Sequence, residues 1–141
     1  MLIVDANIVI AALLKDSKTR QIIVSGKFEL ASPDYLLEEL ERNKYYITKK
    51  AKISIGEFQI VTALLLRHIN IMPHEEYKDK LAEAKKIISN DIKDTAYVAC
   101  YLSLECDGIW TNDSDFENKE GIKTFDTAHL LNKVSGKSQT L

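Results

Sequence analysis

The chain has 141 residues, of which 45% are hydrophobic and 28% are charged, a composition that excludes intrinsic disorder. This length suits one domain that buries roughly two thirds of the surface of its unfolded chain. The formal net charge of −2 gives no overall attraction for polyanions, so contact with nucleic acid would need local basic stretches. Two such stretches occur, and in most proteins they are simply solvated faces: Lys15, Lys18 and Arg20, and then Arg42, Lys44, Lys49, Lys50 and Lys52.

The hydrophobic pattern contains no membrane or export signal. No segment approaches the roughly 20 consecutive apolar residues that span a bilayer. The apolar run from Met1 to Leu14 lacks a basic start and contains Asp5, so we interpret it as a strand and a helix and expect a cytoplasmic protein. Cys100 and Cys106 lie on different parts of one predicted helix and are expected to be buried free thiols.

The first half of the chain alternates between strand and helix patterns. In order, these predict a strand over 2–4, a helix to residue 14, a helix over 19–25 and a strand over 28–31. Ser32 as N-cap and Pro33 as first helical residue predict a third helix, which runs to about Tyr46. Ser54 and Glu57 form a capping box that opens a fourth helix to about residue 67.

The second half continues the alternation. We expect a strand over 69–72, a helix over 75–88, a buried helix over about 91–105, strands over 109–111 and 122–125, and a helix over 126–134. Strands alternating with helices predict a three-layer α/β/α sandwich around a central, mainly parallel sheet of about five short strands. The sequence therefore predicts a single domain over 1–134, followed by a loose tail over 135–141.

Two acids follow predicted strands. Asp5 closes the strand over 2–4, and Asp113 follows the strand over 109–111. Ligands of parallel sheets bind beyond the carboxyl ends of the strands, so both carboxylates overhang one crevice if these strands are neighbours. Each residue has an alternative role, because Asp is also a common helix N-cap directly after a strand.

Three glutamates lie in the third predicted helix. Its apolar stripe is formed by Leu36, Leu37, Leu40 and Ile47. Glu38 points away from this stripe, whereas Glu39 and Glu41 flank it on opposite sides. Position on the helix therefore leaves either Glu39 or Glu41 as the acid that can reach a buried site.

Asp91 and Asp94 lie one turn apart at the start of the buried helix. A cap at Asp91 with Asp94 in the first turn would stabilise the helix, and the same geometry also suits cation ligands. Asp115, two residues after Asp113, is either a further ligand or a turn residue. Acids gathered in one crevice repel each other unless a cation compensates, and Mg²⁺ or Mn²⁺ prefers such oxygen ligands. His68, His74 and His129 follow no ligand spacing.

Four segments together resemble the PIN domain family. They are Leu-Ile-Val-Asp-Ala-Asn at 2–7, Leu-Leu-Glu-Glu-Leu at 36–40, Asp-Ile-Lys-Asp-Thr-Ala-Tyr-Val-Ala at 91–99 and Thr-Asn-Asp-Ser-Asp-Phe at 111–116. No single segment is specific, but their order and distances are. The resemblance extends from residue 1 to about 134 and implies a three-layer fold with metal-dependent ribonuclease activity.

The resemblance also assigns the site. It implies that Asp5, Glu39, Asp94 and Asp113 are the catalytic and metal-binding acids, and it selects Glu39 over Glu41. Asp91 and Asp115 match acids that vary in the family and are further candidate metal ligands. Asn7 and Thr111 fall where a small polar residue orients an acid or a water.

A function follows from this resemblance. We expect hydrolysis of single-stranded RNA, with one or two Mg²⁺ or Mn²⁺ ions activating water and stabilising the leaving oxygen. Lys44 or Lys49 would steer the backbone of the RNA. The shortness of the chain is similar to VapC-like toxins, which commonly dimerise and are inhibited by a small antitoxin, although RNA-processing relatives would look alike.

Two other functions fit parts of this pattern. A non-catalytic RNA-binding or assembly module on the same fold is the main alternative, because fold does not fix function. A haloacid-dehalogenase-like phosphatase also has a catalytic Asp after its first strand. It needs a second Asp two residues later as an acid, and this chain has Asn7 at that position.

Overall fold

The computed structural model describes residues 1–88, 92–113, 116 and 121–135, with the backbone alone for residues 92 and 93. The strands are β1 (Leu2–Val4), β2 (Leu30–Pro33), β3 (Ile69–Met72), β4 (Gly108–Trp110) and β5 (Thr124–Phe125). The helices are α1 (Ala6–Leu13), α2 (Ser17–Val24), α3 (Tyr35–Arg42), α4 (Lys44–Ala51), α5 (Ile55–Leu66), α6 (His74–Tyr77), α7 (Leu81–Ile87), α8 (Ile92–Ser103) and α9 (Thr127–Val134). A 3-10 turn over Lys78–Lys80 joins α6 to α7.

The central sheet has the strand order β3-β2-β1-β4-β5, and all its pairings are parallel. In β1, Ile3 pairs with Ala31 on one side and with Ile109 on the other. The chain builds outward from β1 through β2 to β3, and then continues on the other side through β4 to β5. The order therefore reverses between β1 and β4, which places a crevice at the carboxyl ends of these two strands. The predicted α/β/α sandwich with a mainly parallel sheet is confirmed.

Helix α8 packs against the middle of the sheet. It contacts β1, β2 and β4 and also α6 and α7. Tyr97, Val98, Ala99 and Cys100 are each no more than 1% exposed. The prediction of a buried helix is therefore confirmed, and its position fixes any side chain at its start relative to the ends of β1 and β4. Among the described residues, no helix is long and apolar enough to cross a bilayer.

The predicted start of the third helix at Ser32 and Pro33 was wrong. Both residues belong to β2, where the Ser32 hydroxyl donates to the carbonyl of Val4 at 2.9 Å. The N–H of Asp34 then donates to the carbonyl of Met72 at 2.8 Å and extends the contact with β3. The φ angle that proline imposes fits the end of a strand as well as the first turn of a helix, so the local pattern was ambiguous.

The predicted continuity of the third helix to residue 46 was also wrong. The helix stops at Asn43, whose side-chain amide donates to the carbonyl of Glu39 at 2.7 Å, and α4 begins at the next residue. Ile47 therefore belongs to α4, although it is buried as expected. Leu37 was assigned to the buried stripe but is 44% exposed.

Smaller differences concern element bounds. The helix expected over 75–88 is divided into α6, the 3-10 turn and α7. Cys106 lies beyond the end of α8 rather than inside it, and both cysteines are free, as expected. The start of α8 at Asp91 and the tail over 136–141 lie outside the described residues.

Candidate functional site

Asp5 is the centre of the candidate site. It follows β1, is only 4% exposed, and its backbone N–H donates to the carbonyl of Trp110 at 3.1 Å on β4. Its carboxylate Oδ2 accepts a hydrogen bond of 2.8 Å from the hydroxyl of Thr111. Asp5 occupies the N-cap position of α1, yet its side chain makes no capping hydrogen bond. This geometry favours a binding role over the alternative of a simple helix cap.

The environment of Asp5 disfavours its negative charge. Burial raises the pKa of Asp5 from its ordinary 3.8 to about 6. The nearby negative charges of Glu39 and Asp113 raise this pKa further, while hydrogen bonds from Thr111 and the N–H of Ala6 oppose the rise. No basic side chain of the described residues lies within ion-pair distance of Asp5. A cation at this position would relieve an unfavourable buried charge.

Thr111 connects the acids of β1 and β4. Its hydroxyl donates to Asp5 and accepts the N–H of Asp113 at 2.9 Å. Thr111 is 3% exposed, and Asp113 is half-buried in the loop after β4. Because β1 and β4 are paired, the two acids overhang the same crevice, as the sequence predicted. The expected supporting role of Thr111 agrees with these contacts.

Glu39 is buried at the edge of the same crevice. It is 9% exposed and lies on the same face of α3 as the buried Leu36 and Leu40, whereas Glu38 is exposed. Its Oε1 accepts a hydrogen bond of 2.6 Å from the hydroxyl of Tyr97. Burial and the charge of Glu39 raise the pKa of Tyr97 far above its ordinary range, so the hydroxyl keeps its proton and donates. Glu41 is exposed and pairs with Lys44 instead.

Asp94 lies in the first turn of α8 and is half-buried. Tyr97 follows it by one turn on the same face of the helix, so Asp94 is carried by the helix that also contacts Glu39. The structure brings Glu39 and Asp113 close enough to act electrostatically on Asp5, and Asp94 is not among the groups that most affect the pKa of Asp5. Asn7 is exposed in the first turn of α1. Asp91 and Asp115 lie outside the described residues.

Sequence reasoning gave no role to Tyr97, although this residue touches Glu39. A signal was present, because Tyr97 is a residue with a hydroxyl on a helix that is otherwise apolar around it. A buried tyrosine hydroxyl needs a hydrogen-bond partner, and Asp94 one turn earlier indicates that acids are near. The partner itself, on α3, followed only from the tertiary packing.

The donor set fits a hard divalent cation, since all of the candidate ligands are carboxylates. Within the described ranges, no group of three or more His, Cys, Asp or Glu side chains is close enough to enclose an ion. Mg²⁺ is usually bound through one or two carboxylates and several waters rather than by a closed protein cage. An open pair of buried acids with others nearby is therefore compatible with this type of ion.

The sequence model of one protein family, described as PIN domain, matches residues 3–135. The chain belongs to the PIN domain family. The match includes β1, α3, α8 and β4, the elements that carry the candidate acids. PIN domains are generally nucleases, which hydrolyse phosphodiester bonds. No curated protein matches the chain.

The raised pKa of Asp5 predicts how stability depends on pH in the absence of metal. Because the folded-state pKa of about 6 exceeds the ordinary 3.8, the folded PIN domain binds this proton more tightly than the unfolded chain does. This carboxyl therefore contributes stability below about pH 4 that is lost as pH rises through about 6. The amide of Asp5→Asn does not titrate in this range. The free energy of unfolding of Asp5→Asn, relative to that of the wild type, should therefore rise by about 3 kcal/mol from about pH 4 to about pH 6.

Urea unfolding of both proteins with chelator, at several pH values, measures this difference. The other acids are common to both proteins, so the difference isolates the carboxyl of Asp5. A difference that stays constant from pH 4 to pH 7 would contradict the raised pKa.

Proposed function

We propose that this chain is a metal-dependent endoribonuclease that hydrolyses phosphodiester bonds in single-stranded RNA. The observation that carries the proposal is the burial of the Asp5 carboxylate close to the negative charges of Glu39 and Asp113. Such a site binds cations, and membership of the PIN domain family makes the associated chemistry that of a nuclease.

Asp5, Glu39, Asp94 and Asp113 would bind Mg²⁺ or Mn²⁺, with Asp91 and Asp115 as further candidate ligands. The bound ion supplies a Lewis acid and a water of lowered pKa, which are the requirements of phosphodiester hydrolysis. Chelation should accordingly stop cleavage.

The residues of the chain itself orient the two buried acids. The hydroxyl of Thr111 fixes Oδ2 of Asp5, and the hydroxyl of Tyr97 contacts Oε1 of Glu39. Both donors are neutral, so they restrict the carboxylates without cancelling their charge. The site thus keeps its affinity for cations while its geometry is constrained.

Among the described residues, Arg42 is a basic side chain suited to contact the RNA backbone. It lies one turn after Glu39 on α3, is exposed, and its guanidinium lies 5.7 Å from the ring centre of Tyr35. Lys44, which the sequence favoured for this role, is engaged with Glu41. Arginine binds phosphate through a planar fork of donors, so Arg42 has the more suitable chemistry as well as the closer position.

We further propose a VapC-like toxin role and a homodimer. Six of the seven large, exposed hydrophobic side chains of the described residues lie on α3, α4 and α5, and Val24 is the other. They include Tyr45 at 72%, Ile60 at 63% and Tyr46 at 54% exposed. A groove of about 310 Å³ runs between α3 and α5 beside Leu37. We assign this α3–α5 patch to a second copy of the chain, because concentrated exposed apolar surface marks an interface.

Glu39→Gln should abolish cleavage of labelled single-stranded RNA in Mn²⁺, because the amide removes a buried negative ligand. Removing such a ligand should lower the rate by at least about 100-fold. Glu38→Gln and Glu41→Gln are matched controls on the same helix. Both side chains are exposed, so both variants should cleave at nearly the wild-type rate.

Equal losses in all three variants would show that α3 does not present Glu39 to the site. The same proteins separate the alternatives. A non-catalytic RNA-binding module would bind RNA and never cleave it, with or without Mn²⁺. If the protein is a toxin, expression of the wild type should arrest growth and that of Glu39→Gln should not, with an antitoxin relieving the arrest. Active enzyme that leaves growth unchanged would indicate RNA processing.

Arg42→Gln should weaken binding of single-stranded RNA and reduce its dependence on salt by about one ionic contact. Arg67→Gln is the matched control, because Arg67 lies near the amino end of β3, at the opposite edge of the sheet. Fluorescence anisotropy with Ca²⁺ in place of Mn²⁺ measures binding without cleavage. An equal effect of both variants would mean that Arg42 does not contact the substrate.

A double variant Ile60→Glu, Leu64→Glu should convert the dimer into a monomer, because it places two charges in the proposed interface. These side chains lie one turn apart on α5 and are 63% and 51% exposed. Val24→Glu, with 52% exposure on α2, is the control and should remain dimeric. Light scattering over a wide concentration range measures the mass, and a wild type that is monomeric throughout would overturn this assignment.

A further inference from the structure

A hydrogen bond between two helices contacts one of the proposed metal ligands. The hydroxyl of Tyr97 on α8 donates to Oε1 of Glu39 on α3 at 2.6 Å. Both residues are buried, with 1% and 9% exposure. Hydrogen bonds to an ionised acceptor are about twice as strong as neutral ones, and a short length is typical of them.

This bond restrains Glu39 next to a second buried acid, Asp5. Without a cation, the negative charges of Asp5 and Glu39 repel each other, as their effect on the pKa of Asp5 indicates. Glu39 also has three rotatable side-chain bonds, so repulsion would favour rotamers that point its carboxylate away from the crevice. A buried donor at Oε1 restricts that movement at no cost in negative charge.

We propose that Tyr97 is a positioning residue that fixes Glu39 beside Asp5 in the arrangement that binds the cation. The inference rests on the proposed function and extends it to a residue that does not bind the metal. Because Tyr97 lies one turn after Asp94, α8 carries both an acid of the site and the group that positions the acid of α3. The packing of this one helix therefore sets the positions of two proposed ligands.

The chain contains a matched bond that serves as a control. The hydroxyl of Tyr77 donates to Oδ1 of Asp34, also at 2.6 Å, and Tyr77 is 3% exposed. The carboxylates that act on Tyr77 are Asp34 and Glu38, whereas those that act on Tyr97 include Glu39 and Asp5. The two tyrosines thus make the same kind of bond, but of the two only Tyr97 makes it to one of the proposed metal ligands.

The experiment compares Tyr97→Phe with Tyr77→Phe in the full chain. Each variant removes one buried hydroxyl, so both should melt at a lower temperature than the wild type in chelator. Titration with Mn²⁺, followed by calorimetry and by the rise in melting temperature, then measures metal binding independently of cleavage. Tyr97→Phe should weaken Mn²⁺ binding by about 10- to 100-fold, as loss of a group that orients a ligand commonly does. Tyr77→Phe should bind Mn²⁺ like the wild type.

A double variant, Glu39→Gln with Tyr97→Phe, tests whether Tyr97 acts through Glu39. In the Glu39→Gln background, Tyr97→Phe should cause no further loss of Mn²⁺ affinity, because the ligand that it positions is already absent. An additional loss of the full size would overturn the proposal. Tyr97→Met, which fills similar space without a donor, should reproduce the effect of Tyr97→Phe.

The outcomes separate this inference from the proposed function. A wild type that binds no Mn²⁺ would overturn both. A wild type that binds Mn²⁺, together with a Tyr97→Phe variant of equal affinity, would overturn the positioning role and leave the function intact. If Tyr97→Phe and Tyr97→Met both fail to fold in chelator and in Mn²⁺ while Tyr77→Phe folds, the hydroxyl is a requirement of the core and the positioning role is also overturned.

Discussion

The candidate site is built around a carboxylate that is buried where the strand order of the sheet reverses. Asp5 has that position because β1 is paired on both sides, with β2 and with β4. Its burial is energetically unfavourable for the ionised group, which is why its pKa rises to about 6. A fold that retains such a group needs a compensating partner. Thr111, which directly follows β4, provides part of that compensation, and on the proposed function a bound cation would supply the remainder.

Two neutral hydroxyls contact the buried acids. Thr111 donates to Asp5 and Tyr97 donates to Glu39. Neither donor carries a charge, so neither neutralises the carboxylate that it restrains. Lys44 pairs with Glu41, whereas the guanidinium of Arg42 lies near the ring of Tyr35 and also acts electrostatically on Glu39. On the proposed function, the carboxylates keep their charge for a metal ion, and the exposed Arg42 contacts the polyanion.

The sequence predicted the positions of Asp5 and Asp113 because both depend on short buried strands, whose apolar runs are local signals. Helical periodicity, which is also local, excluded Glu38 and left Glu39 or Glu41 as the inward acid, and the family resemblance selected Glu39. It failed at Ser32 and Pro33, where the outcome depended on the pairing of β2 with Val4 and Met72 in other strands. It failed again at Asn43, whose backbone departs from helical angles (φ −97°, ψ 5°) and separates α3 from α4 within a pattern that suits a continuous helix.

Tyr97 shows the same difference between what a local pattern predicts and what depends on contacts with other elements. Its burial followed from the apolar character of α8, but its contact with Glu39 joins residues 58 positions apart in the sequence. Periodicity within one element carries no information on which other element lies opposite. The site could therefore be predicted as a set of acids at the ends of strands and helices, and not as a set of hydrogen bonds between them.

The net charge of −2 is the feature of the sequence that argued most directly against binding to RNA. On the proposed function, the RNA binds to the protein with its metal ions, whose net charge is less negative. One divalent cation brings the formal charge from −2 to 0, and a second brings it to +2, with the whole change concentrated at the crevice of Asp5. Association with a polyanion depends on the local potential more than on the total charge. Metal binding would then decide both whether the site is chemically active and whether RNA is attracted to it.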